Sequence, residues 1–201
     1  MKASGADILS RVNPVDTEIL VRSIESGKFA QGNGIVLTAG LFDTPLGQMI
    51  AITDEQGLYL LQFVDRNNLL YEIERLACKV NAKIVMGCVE PIAAIQRELN
   101  LYFDGVLTAF ITPVVLMGTP FQKQVWGALQ QVSYGETRSY SQIACTIGRA
   151  GYFRACAAAN RANLLAIIIP CHRVIKANGN LCGYNGGVLR KQWLIEHEKC
   201  V

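Results

Sequence analysis

The sequence predicts an α/β protein of the α+β kind in two parts: a small antiparallel sheet with helices, then a mainly helical unit. Three observations predict it. Short apolar runs between turn signals cluster from residue 35 to 64. Apolar residues at helical spacing dominate from Pro120 onward. Between them, the stretch from Asp104 to Pro120 carries Gly105, Gly118 and two prolines, which places a domain boundary there. The expected division is a leader at 1–34, an α+β unit at 35–115 and a helical unit at 116–201. With 51% hydrophobic and 17% charged residues, the chain can bury a core and is not of disordered composition.

The leader holds a short amphipathic stretch, Asp16 to Ser26, and then a loop-like run from Gly27 to Gly34. Ile35 to Ala39 and Met49 to Thr53 read as strands around the turn Asp43-Thr44-Pro45-Leu46-Gly47. Leu58 to Val64 reads as a third strand after Asp54-Glu55-Gln56-Gly57. From Asn67 to Val80 the apolar positions 69, 70, 73, 76 and 77 are helical in spacing. Pro91 opens a second helix with Ile92, Ile95, Leu99 and Phe103 on one stripe. No chemistry is visible in this half.

In the second half, Pro120 to Val132 forms a helix with Phe121, Val125, Trp126 and Leu129 inward. Ser139 caps a helix to Ile147, Gly148 to Gly151 turn, and Tyr152 to about Asn163 forms the next helix. Helix, glycine-containing turn, helix is the helix-turn-helix arrangement. The second helix carries Ala155, Cys156, Ala157, Ala158 and Ala159 in succession, side chains small enough for close approach to a partner or for tight packing. A buried run, Leu164 to Ile169, leads into Pro170-Cys171-His172-Arg173-Val174. The glycine-rich loop Gly183-Tyr184-Asn185-Gly186-Gly187 and a final helix, Leu189 to about Glu198, complete the chain.

Charge and cysteine usage narrow the function classes. From Thr119 onward there are ten Lys or Arg against three Glu, +7; the remainder has nine against thirteen, −4, and the two sum to the net +3. A basic half suggests a polyanion as partner. No apolar run reaches the roughly 18 residues that span a bilayer, and the N-terminus lacks the apolar stretch of a secretory signal. A cytoplasmic protein with no membrane association is expected. Seven cysteines, an odd number without a C-x-x-C pair, read as free thiols rather than a disulfide framework. A zinc site is not expected, because His172 and His197, the only histidines, lie far in sequence from Cys78 and Cys88.

Cys171 stands beside His172 and after a proline that stiffens the turn, the pattern of an activated thiol. A thiol of ordinary pKa near 8.5 is only slightly ionised at neutral pH, so it needs a base and a group to orient that base. The acidic residues of this half are Glu136, Glu196 and Glu198, and any of them could complete a Cys–His–Glu relay. A hydrolase with repeated turnover and a structural cysteine are both compatible with these residues alone.

The wider pattern resembles the O6-alkylguanine-DNA alkyltransferases. The likeness runs through Gly118-Thr119-Pro120-Phe121-Gln122, Val125-Trp126, Tyr134-Gly135-Glu136-Thr137, Ser139-Tyr140-Ser141-Gln142-Ile143-Ala144 and Asn163. It continues through Ile169-Pro170-Cys171-His172-Arg173-Val174 and Gly183 to Gly187, and ends in Lys191-Gln192-Trp193-Leu194-Ile195-Glu196-His197-Glu198. Asp43-Thr44-Pro45-Leu46-Gly47 is similar to the hairpin of that family's N-terminal domain. The likeness is to the C-terminal half of the bacterial bifunctional methyl-response regulator and to its stand-alone relatives.

The resemblance implies a ribonuclease-H-like first domain and a winged helix-turn-helix-like second one. It implies single-use transfer of an alkyl group from guanine O6, or thymine O4, to Cys171, with no cofactor and no metal. His172 would take the thiol proton through a water, Glu198 would hold the imidazole, and Asn163 would tie the recognition helix to the acceptor turn. Tyr140 would bond guanine N3 and help the base depart. The backbone near Tyr184 and Asn185 would cover the flipped base, and the carbonyls of Cys171 and Val174 would read its amino group. Arg154 would fill the vacated stack, with Ser139, Tyr152, Ala155 and Arg161 also on DNA. The partner would be duplex DNA containing O6-alkylguanine, entered from the minor groove by a monomer. One segment departs from the family: Ala150-Gly151-Tyr152-Phe153-Arg154 has two aromatic residues where a proline and small residues usually precede the arginine.

Overall fold

The computed structural model describes residues 14–29, 34–181 and 183–200; the loop expected over 30–33 and Cys182 lie outside these. Among the described residues, seven α-helices and a four-stranded sheet form a mixed α/β architecture. The elements run α1 (Pro14–Glu25), β1 (Val36–Phe42), β2 (Met49–Thr53), β3 (Leu58–Phe63), α2 (Leu69–Val80), β4 (Lys83–Met86) and α3 (Glu90–Phe103). They continue α4 (Pro120–Gln130), β5 (Arg138–Ser139), α5 (Tyr140–Thr146), α6 (Phe153–Arg161), β6 (Val174–Ile175) and α7 (Val188–Lys199).

The sheet order is β3-β2-β1-β4. β1 and β2 form an antiparallel hairpin, Thr38 opposite Thr53 and Phe42 opposite Met49, and β2 pairs antiparallel with β3. The expectation of an antiparallel sheet is corrected at one edge. Lys83–Met86, which the sequence analysis did not read as a strand, pairs parallel with β1, Val36 opposite Lys83. Four residues with a single fully buried side chain, Ile84, leave little periodicity to read. The helix α2 crosses over to bring them there.

β2 and β3 are buried along their whole length, so the sheet packs on both faces. Strand alternation sends Ile50 and Ile52 to one side, where they meet Leu20, Ile24 and Phe29 from residues 14–29 and Ile73 and Leu76 of α2. Met49 and Ala51 point to the other side, into a cluster with Ile95, Leu99 and Tyr102 of α3 and Val125, Trp126 and Leu129 of α4. The α3 stripe ends on the fully buried Tyr102 rather than on Phe103, which is only partly buried. This second cluster also includes Ile169, Cys171 and Val174.

Local chemistry sets the helix starts in the second half. Thr119 and Gln122 form a reciprocal capping box at α4, with Gln122 N–H donating to Thr119 Oγ1 at 3.2 Å and Thr119 N–H to Gln122 Oε1 at 2.8 Å. Ser139 and Gln142 repeat the device at α5. Trp126 Nε1 donates to Ala159 O at 2.8 Å, pinning α4 to α6. Helix α6 starts one residue later than the apolar pattern suggests, with Tyr152 as its N-cap.

One guanidinium joins the two halves. Arg190 of α7 donates to both carboxylate oxygens of Asp65 at 2.9 Å, to Leu46 O at 2.7 Å and to Gly186 O at 3.0 Å. Its plane lies 4.1 Å from the Phe63 ring. Removing one member of a buried, multiply bonded pair strands the other. Arg190→Met should therefore cost about 3 kcal/mol of stability, read as a lowered denaturation midpoint at unchanged slope; a loss below about 1 kcal/mol, the range of an exposed ion pair, would show that the clamp is incidental.

Candidate active site

The segment before Cys171 is shaped by tight turns. Ile168 N–H donates to Ala166 O at 2.9 Å, closing a three-residue turn about Ile167, whose φ is +71°. A β-branched residue in that region is strained. Cys171 N–H donates to Ile169 O at 2.7 Å, closing a second such turn about Pro170 (φ −78°, ψ 60°). Residues Cys171–Arg173 then form one 3₁₀ turn. The strand β3 anchors this segment: Leu61 N–H donates to Leu164 O at 2.8 Å, Ala166 N–H to Leu61 O at 2.9 Å, and Gln62 Nε2 to Asn163 O at 3.0 Å.

Asn163 holds the turn from inside. Its Nδ2 donates to Ile169 O at 2.9 Å and lies 3.2 Å from both Leu165 O and Cys171 Sγ, while its Oδ1 accepts from Leu165 N–H at 2.9 Å. Burial pushes the Cys171 thiol up, against the Asn163 hydrogen bond and the nearby positive charges of Lys191 and Arg66, which pull it down. At rest the group is a thiol. It becomes a nucleophile only when a base accepts its proton.

His172 is fully buried, and its Nε2 lies 2.7 Å from Glu198 Oε1. Glu198 also accepts from Arg173 Nε at 2.8 Å and Nη2 at 3.0 Å, from Tyr102 Oη at 2.7 Å and from Gly135 N–H at 3.3 Å. Burial pushes the Glu198 carboxyl up, but His172 and Arg173, by hydrogen bonding and charge, lower it to about 2. An ionised carboxylate only accepts, so the proton of a neutral His172 sits on Nε2 and Nδ1 keeps its lone pair. Nδ1 is buried and meets no hydrogen-bond partner among the described residues. Burial pushes the His172 pKa down, leaving the imidazole neutral and basic at physiological pH.

Of the three glutamates open to the relay, Glu198 occupies it; Glu136 pairs with Arg138 at 2.8 Å and Glu196 accepts from Gln192 at 2.8 Å. Gly135 must be glycine on two counts. Its φ is +78°, and a Cβ there would sit 2.8 Å from Glu198 O.

The parallel pair Arg138–Val174 and Ser139–Ile175 brings the start of α5, and with it half-buried Tyr140, beside the acceptor turn. Tyr184 is buried with its ring edge-on to His172, centroids 6.5 Å apart. It borders a narrow cleft together with Cys171, Asn163, Asn160 and Asn185. Asn185 Nδ2 donates to Arg161 O at 2.5 Å, joining the loop to the end of α6. Gly186 is required by close approach, because a Cβ would lie 2.7 Å from the Tyr184 ring and 3.0 Å from Phe63.

Val174 O accepts from Lys191 Nζ. Cys171 O accepts from Asn160 Nδ2 at 3.3 Å and from Val174 N–H. The exposed side of α6 presents Arg154, Tyr152 and Phe153; Arg149 lies over the Tyr152 ring at 5.9 Å and Arg154 over Phe153 at 5.7 Å. Ala155 is half-buried and Arg161 exposed on the same helix. Sequence reasoning missed Tyr102, Arg173, Asn160 and Lys191. Arg173 and Lys191 stand inside the quoted motifs but had no role, and Tyr102 arrives from the other half of the chain.

Three comparisons bear on this site. Residues 120–200 match the family described as 6-O-methylguanine DNA methyltransferase, DNA binding domain. The methylated-DNA–protein-cysteine methyltransferase of Mycolicibacterium paratuberculosis is 43% identical over 157 residues, 78% of this chain and 89% of that one. The Salmonella typhimurium protein of the same name is 38% identical, over 77% and 91%. The crystal structure of Mycobacterium tuberculosis OGT in complex with DNA superposes with a TM-score of 0.71 at 37% identity, over 81% of this chain and 93% of that one.

The buried relay gives a signed pH dependence. Depressed His172 leaves the unfolded chain binding more protons below about pH 6.5, and depressed Glu198 does the same below about 4.5. Stability present at neutral pH should therefore fall as pH drops from 6.5, and continue falling down to about 2. Glu198→Gln should flatten the lower limb in denaturation at stepped pH. An unaltered limb would mean that Glu198 is not the titrating group.

Proposed function

The chain belongs to the O6-methylguanine-DNA methyltransferase family, and on that premise we propose that it repairs DNA by moving a methyl or other alkyl group from guanine O6, or thymine O4, onto Cys171 Sγ, once per molecule. The observation that carries this reading is the Glu198–His172 pair beside Cys171 on one 3₁₀ turn, in which a neutral imidazole is held on one nitrogen and left basic on the other. Such a base, reaching the thiol through one water, removes its proton as sulfur attacks. The S–C bond forms as the O6–C bond breaks, the bonding pair goes to the base, and Tyr140 Oη supplies a proton at N3. The product thioether has no leaving group that this site could activate, so the molecule is spent.

The rest of the site serves presentation of the base. The target oxygen lies inside a duplex, so the nucleotide is turned out at a cost of a few kcal/mol. We take residues 116–201, a winged helix-turn-helix-like unit, as the part that does this, and 35–115, ribonuclease-H-like in this reading, as its support. Helix α6 enters the minor groove with Ala155 at the close approach and Arg154 in the vacated stack. Tyr152, Ser139 and Arg161 border the phosphates. Tyr184 and Asn185 cover the base, and Val174 O, oriented by Lys191, keeps a lone pair for the guanine amino group. Cys171 O already has two donors, so recognition of that amino group rests on Val174. The protein acts as a monomer in the cytoplasm. Among the described residues no helix is long and apolar enough to cross a membrane.

Intact mass after incubation with an O6-methylguanine duplex should rise by one methyl group, mapped to Cys171 and lost in Cys171→Ala. Multiple turnovers on an ester or amide without that gain would instead indicate a Cys–His hydrolase. Arg154→Ala should slow repair of the duplex on the order of a hundredfold, the cost of a few kcal/mol of lost stack filling, and slow reaction with a free O6-alkylguanine base far less; equal losses would remove Arg154 from the stack.

A further inference from the structure

Beside the acceptor site, an open groove runs between the start of α2 and the end of α6. Its walls include Arg66, Asn68 and Glu72 from the first half and Ala158, Arg161 and Tyr184 from the second. We propose that this groove seats a phosphodiester of the damaged strand, with Arg66 and Arg161 as its ligands, so that the first half of the chain also binds DNA. The proposal rests on the reading of α6 as the DNA-entering helix.

Arg66 is the unusual member. Its side chain is only 5% exposed, yet among the described residues Nη1 meets no hydrogen-bond acceptor and Nη2 has the Glu72 carboxylate at 3.8 Å. That distance is beyond hydrogen-bond reach. Burial accordingly pulls the Arg66 pKa down, with Glu72 the largest influence opposing it. A buried guanidinium normally fills its donors, and the fork geometry it offers matches a phosphate. Glu72 is the one carboxylate in the groove wall, and it is flanked by Arg75 as well as Arg66, each at 3.8 Å.

The helix α2 adds a second donor set. It is twelve residues long and starts at Asn68, which sits at φ +65° and makes no side-chain cap. Leu69 N–H donates to Arg66 O at 3.3 Å, while no side chain of Asn68 caps the amides that follow, and the positive end of the helix borders the groove at Asn68. Arg161 faces it from α6, exposed, and makes no ion pair among the described residues. An anion between them would meet a helix terminus and two guanidiniums.

The test is binding of the full chain to an O6-methylguanine duplex by fluorescence anisotropy across a salt series. Each phosphate contact contributes about 0.9 to the slope of log affinity against log salt. Arg66→Gln should lower affinity on the order of tenfold at low salt and flatten the slope by about 0.9. Arg66→Lys, which keeps the charge, should retain most of the slope. A scan with single methylphosphonates in the damaged strand should reveal one position that weakens the wild type but leaves Arg66→Gln indifferent. Asn68→Asp, an exposed change that leaves the core intact, should weaken binding through the same position. A wild-type slope kept by Arg66→Gln and Asn68→Asp, or a phosphonate profile identical in all chains, overturns the groove alone. No salt-dependent binding by the wild type overturns the functional reading with it.

Discussion

A carboxylate buried to 2% exposure holds this molecule's chemistry together. Such a charge is costly in the interior unless its oxygens are saturated with donors. Glu198 meets that condition by drawing in four partners: His172, Arg173, Tyr102 and the backbone of Gly135. Each partner then becomes fixed in turn. The imidazole is locked in one tautomer, the arginine spans to Val132 O at 2.6 Å, and α3 is tied to α7 through Tyr102. The reactive residue is placed as a consequence, because Cys171 and His172 share one 3₁₀ turn.

The first half of the chain carries no reactive group, yet the site depends on it. The edge strand β3 hydrogen-bonds the run that leads to Cys171, and Gln62 bonds Asn163 O, whose side chain touches the sulfur. Phe63 lies where it permits only glycine at 186, and Arg190 holds that same loop to Asp65 and Leu46 O. The sheet thus acts as a jig for the acceptor turn. A strained φ at Ile167 persists because the surrounding bonds over-determine it.

The side proposed to face DNA follows different physics. There Tyr152, Phe153 and Arg154 are exposed, with Arg149 lying over Tyr152 and Arg154 over Phe153, so they can rearrange at little cost. Reaction at the sulfur demands sub-ångström placement, whereas lesion recognition in any sequence context demands tolerance. One molecule combines both by putting rigid bonds beneath α6 and loose ones on top of it.

Much of this was legible in the residues themselves, because capping, turns and helix periodicity are local. Thr119 with Gln122 and Ser139 with Gln142 announce their helices by spacing, and Pro170-Cys171-His172 announces the nucleophile and its base. Residue types alone left Glu136, Glu196 and Glu198 open and the family likeness pointed to Glu198; tertiary structure shows why, since the donors converge on that carboxylate and not on the other two. Tertiary structure alone decided the place of Tyr102, whose partner Glu198 lies far along the chain, and the parallel pairing of β4 with β1, which rests on backbone bonds that no side-chain pattern of four residues encodes. Sequence by itself determined what the reacting atoms are; packing of distant segments decided which charges surround them, because electrostatic and hydrogen-bond contacts depend on separation in space.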